Sequence, residues 1–79
     1  MPEIVRLSNS KICVFPGDHA PPHFHLKGPG WMASIEIMTL EILKGKAPKA
    51  DLVEAVQWAT EPENLSLLAS EWRRLNERD

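Results

Sequence analysis

All three histidines of this 79-residue chain stand in one stretch, Asp18-His19-Ala20-Pro21-Pro22-His23-Phe24-His25-Leu26-Lys27. Imidazole has the side-chain pKa nearest neutrality, so such a cluster can hold a metal, move protons or make polar contacts. His23 to Lys27 alternates polar and apolar, the period of a half-buried strand. That pattern predicts Phe24 and Leu26 facing a core, with His23, His25 and Lys27 sharing the opposite face. A rise of about 3.3 Å per residue sets the two histidine Cβ atoms roughly 6.6 Å apart. Pro21-Pro22 forbids helix ahead of the strand and stiffens its entry. His19 is then presented on a rigid loop beside Asp18, after the turn pair Pro16-Gly17.

Several chemistries suit this set. His19, His23 and His25, with Asp18, could ligate a divalent metal such as zinc, leaving a position to activate water. The His-x3-His-x-His spacing permits this without being diagnostic. Without metal, His23 and His25 could straddle a phosphate as general base and acid, with Lys27 stabilising the developing charge. A formal net charge of -2 argues against the basic surface that RNA binding needs, so nucleic acid is not the favoured partner. A non-enzymatic reading makes the histidine loop, Pro21, Pro22 and a nearby Glu36 a contact surface for a protein or a second copy of the chain. The plainest reading leaves the histidines as polar residues on a solvated sheet face. Among the functional readings, the binding surface asks least of the sequence and comes first.

The elements that position these residues follow from local patterns. Glu3 to Leu7 and Lys11 to Phe15 are β-rich runs joined by Ser8-Asn9-Ser10, a hairpin. Cys13, mid-strand with no charge beside it to lower its pKa, reads as a small buried residue. Trp31 to Met38 alternates again, with Ala33, Ile35 and Ile37 on one face. A four-residue loop, Lys27 to Gly30, would pair Leu26 with Trp31, Phe24 with Ala33 and His23 with Ser34, leaving Glu36 diagonal to His23. Leu40 to Lys44 reads as a last strand after a turn near Thr39.

Pro48 suits a first helical turn, and Leu52, Ala55, Val56 and Ala59 form an apolar stripe. Thr60 to Glu63 fits a capping box opening a second helix, whose stripe is Leu65, Leu68, Ala69, Trp72 and Leu75. Trp72 belongs to the core, and packing is the first reading for Trp31 and Trp58 as well. The expected architecture is α+β: an antiparallel meander of four or five strands (about 3–44), then two helices (about 48–77) packed on one sheet face.

Charged residues at 25% and hydrophobic residues at 43% are ordinary globular values, compatible with one domain over 1–79. A single cysteine offers no internal disulfide, and no apolar run suggests a leader or a membrane span. A cytoplasmic protein is expected. Arg73, Arg74 and Arg78 are the nearest thing to a basic patch and complement a helix C-terminus.

Asp-His-x-Pro-Pro-His-Phe-His, with Ile-Glu-Ile downstream, resembles the small prokaryotic family called domain of unknown function 4160. Met-Pro-x-Ile at the start, Leu43-Lys44-Gly45 and Gln57-Trp58-Ala59 are similar to it too, so the likeness covers nearly the whole chain. The resemblance implies motif positions at Asp18, His19, Pro21, Pro22, His23 and His25. It also implies a place in loci that look like toxin–antitoxin modules, with a partner from a neighbouring gene and no generally established activity. Leu40 departs from the family pattern, where glycine often follows threonine. The chain also stops soon after the second helix, where many members continue.

Overall fold

The computed structural model describes residues 3–17 and 19–76. Asp18 and Arg78, named above as candidate ligand and patch residue, lie outside the described residues.

Five short strands follow one another: β1 (Glu3–Arg6), β2 (Lys11–Cys13), β3 (His23–Gly28), β4 (Trp31–Glu36) and β5 (Ile42–Gly45). They pair in sequence order, all antiparallel, as a meander. Two helices follow, α1 (Lys49–Thr60) and α2 (Pro62–Asn76). Alternation sets the faces: Ile12, Phe24, Leu26, Ala33 and Ile35 are buried beneath the helices. Ala55 and Ala59 of α1 and Leu68 and Trp72 of α2 close the core over them, joined by Val14 and Ile37. Of the stripes expected for both helices, these four are buried, Leu52, Leu65 and Leu75 pack partly buried against the core, and Trp31 and Trp58 do the same.

The β3–β4 register differs from the expected one by two residues. Leu26 pairs with Ala33, Phe24 with Ile35 and His23 with Glu36, and the turn is only Pro29-Gly30. Proline fixes its own φ while Gly30 takes φ +76°, which only glycine adopts without strain. The tight turn therefore lets Lys27 and Gly28 continue the ladder. A two-residue shift leaves every side chain on its expected face.

Two further boundaries differ. The last strand begins at Ile42 because Leu40 is held at φ +61° in the turn, its N–H donating to the Glu36 carbonyl at 2.8 Å. Thr60 does not cap α2: its hydroxyl donates back to the Gln57 carbonyl at 3.0 Å, inside α1. Glu61 makes the break, its carbonyl accepting from Asn64 and Leu65 N–H. Pro62 sits in the first turn of α2, where a missing N–H costs nothing.

Candidate functional site

The helices cover one sheet face, and the histidines look out from the other. Pro22 carbonyl accepts from Ile37 N–H at 3.0 Å, anchoring the entry to β3. The Ala20–Pro21 bond is cis. His23 Nδ1 lies 2.9 Å from the Pro21 carbonyl, an arrangement that needs the proton on Nδ1, because a carbonyl can only accept.

From β3 the rings assemble into an aromatic cluster. His23 and His25 meet edge-on with centroids 5.1 Å apart, and His25 meets Phe15 in the same way at 4.9 Å. His23 also lies 5.1 Å from Trp72, the buried tryptophan of α2. This is possible because the end of α2 closes on the end of β2, where the Asn76 amide donates to the Phe15 carbonyl at 3.0 Å. Lys27 Nζ lies 5.5 Å from the centre of the Phe15 ring, within cation–π range. Both histidines are half-buried.

This geometry speaks to each chemistry in turn. Centroids at 5.1 Å in an edge-on arrangement are rings in contact. A phosphate cannot sit between them, although both rings could meet a ligand lying above. His19 is exposed in the loop before β3. Among the described residues no group of three or more His, Cys, Asp and Glu side chains is placed to hold a metal. Glu36 sits directly opposite His23 rather than diagonal to it, and its carboxylate accepts from the Thr39 hydroxyl at 3.2 Å, bracing the turn.

Beside the cluster, His25 pairs across the ladder with Cys13 on one side and Ser34 on the other, and Ser34 pairs with Lys44. Ser34 Oγ lies 3.4 Å from His25 Nδ1. His25, Met32, Ser34, Lys44 and Gly45 line a shallow cavity of about 220 Å³. Cys13 is buried here, and burial pushes its thiol pKa up despite Lys11 and Lys27, which pull it down. Lys11 reaches it from two residues away on the same face of β2, and Lys27 only through the β2–β3 pairing.

Alternation places Lys27 on the histidine face, but sequence reasoning missed the cations that join it. Arg6, Lys11 and Lys44 stand with Lys27 on four different strands of that face, with Glu3 and Glu36 among them. Period-two alternation put Lys11 in phase with Cys13, which was the available signal.

Among the described residues, no helix is long and apolar enough to cross a membrane. No curated protein and no solved structure matches this chain. The model of the family described as Domain of unknown function (DUF4160) matches residues 11–73, a span that runs from the start of β2 into α2 and contains the whole histidine cluster. With most of its length matched in this way, the chain belongs to the DUF4160 family.

Proposed function

We propose that this chain is a non-enzymatic binding component of a toxin–antitoxin-like locus, and that its histidine-bearing sheet face and loop meet the product of a neighbouring gene. The carrying observation is the packing of His23, His25 and Phe15 into one edge-on cluster, with Lys27 against it, on the sheet face opposite the buried core. A rigid aromatic group with a cation at its edge is the composition of an interaction hot spot. The partner's surface would be acidic, complementing Lys27 and its neighbours. The test is co-expression with the neighbouring gene product and calorimetry on the purified pair. Phe15→Ala and Lys27→Glu should each weaken the complex by about ten-fold or more. Glu63→Lys, in the first turn of α2, should leave it unchanged. Native affinity in both sheet-face variants, or a chain that only self-associates in sedimentation, would overturn the reading.

A small hydrolase or ribonuclease using His23 and His25 is the second reading, favoured by the adjacency of two imidazoles and Lys27 on one exposed face. It requires phosphodiester cleavage that is lost in both His23→Ala and His25→Ala. Cleavage that survives a chelator would assign metal-free acid–base chemistry. Cleavage restored by zinc after chelation would assign a metal-assisted one.

A further inference from the structure

Beside the aromatic cluster, and sharing Lys27 with it, Arg6 pairs with Lys11 across β1–β2, and Lys11 pairs with Lys27 across β2–β3. Three cations thus stand side by side in one cross-strand row. Directly opposed like charges weaken a sheet, and this arrangement is poorly compensated. Arg6 has a counter-ion in Glu3 at 3.2 Å, but neither lysine makes an ion pair with a described residue. The row borders an open trough of about 420 Å³, walled by the Ser8–Ser10 turn and by Gly28 and Pro29.

Crowded positive charge and a concave space at one place have a common resolution. We propose that the trough is a phosphate-binding site, in which Lys11, Lys27 and Arg6 hold the phosphate oxygens. The ligand chemistry is a phosphate group, offered either as a free phosphate or monoester or as the backbone of a single-stranded nucleic acid. The site shares Lys27 with the surface proposed above but needs neither histidine nor the protein partner, and Arg6 and Lys11, which that surface does not use, test it separately.

The test is an NMR titration of the full chain with inorganic phosphate, with adenosine monophosphate and with a short single-stranded RNA. The expected result is saturable movement of backbone amides in residues 6–11 and 27–28, with affinity falling about ten-fold in Lys11→Gln and in Lys27→Gln. Lys44→Gln, on the same face outside the trough, should leave binding unchanged. RNA binding far tighter than the mononucleotide assigns the backbone as the source, and equal affinities assign an isolated phosphate group. A second readout is thermal: Lys11→Gln should raise the melting temperature in phosphate-free, low-salt buffer, whereas phosphate should raise it only for chains that keep the row. No saturable shift at low-millimolar phosphate, or equal losses in Lys44→Gln and Lys11→Gln, would overturn the site in favour of diffuse surface charge.

Discussion

Single residues at the edge of the site carry backbone constraints that can be tested. Gly45 has φ +81°, and a Cβ added there would collide with the Met32 carbonyl oxygen. Backbone cannot step aside as a flexible side chain can, so Gly45→Ala should cost about 2 kcal/mol or more in urea unfolding. Leu40 is the opposite case, a branched residue held at φ +61° yet packed on the core. Leu40→Ala and Leu40→Gly both remove that packing, but only glycine relieves the left-handed strain. Leu40→Gly should therefore be more stable than Leu40→Ala by about 1 kcal/mol, reversing the usual order. Cys13 makes a pH prediction. Its folded pKa is raised by burial, so between the unfolded value of about 8.5 and the folded one the native chain retains a proton that the unfolded chain has lost. Its contribution is fully present below that unfolded value and fades as pH climbs. Urea midpoints should fall less steeply between about pH 8 and pH 10 in Cys13→Ala than in the native chain.

At the scale of elements, what is legible in a sequence is the face, and what is not is the neighbour. Alternation from His23 to Lys27 assigns the imidazoles to the uncovered side, because a strand has only two sides. Helical spacing assigns Leu68 and Trp72 to the core for the same kind of reason. Register is harder, since Pro29-Gly30 and the longer Lys27–Gly30 loop both preserve parity, and the difference lies in the φ that Gly30 adopts. Thr60 shows a related ambiguity: a hydroxyl near a helix boundary can cap the next helix or bond back into its own. The Trp72 contact with His23 was illegible, since Trp72 is buried in the core and His23 lies on the other side of β3. That contact links core packing to the site. Trp72→Leu should cost about 2–4 kcal/mol, and in the folded variant it should shift the His23 ring resonances while leaving those of His19 in place. Unmoved His23 resonances would show that the core and the cluster are independent.

Across the whole molecule, the sheet and its helical layer are tied by polar contacts at both ends as well as by the core between them. At one end the Glu54 carboxylate on α1 accepts from the Ser8 hydroxyl at 2.6 Å and from the Ser8 N–H. At the other the Asn76 amide on α2 reaches the Phe15 carbonyl. The partners are 46 and 61 residues apart, so no local pattern reveals either tie. Their placement matters because each holds an end of the exposed face: Ser8 opens the turn beside the Arg6–Lys11–Lys27 row, and Phe15 carries the ring against His25. The Glu54 tie is charge-assisted but exposed and the Asn76 tie neutral but part-buried, so each contributes about 1 kcal/mol, and the two share no residue. Glu54→Ala and Asn76→Ala should each destabilise by about that amount, and the double variant should lose their sum to within about 0.5 kcal/mol. The functional readouts should separate as well. Glu54→Ala should disturb phosphate binding at the trough and spare the Phe15–His25 contact, while Asn76→Ala should do the reverse, as judged by ring-proton shifts. If either substitution disturbed both ends equally, the exposed face would be one cooperative surface, coupled beyond the Lys27 that the two proposed sites share.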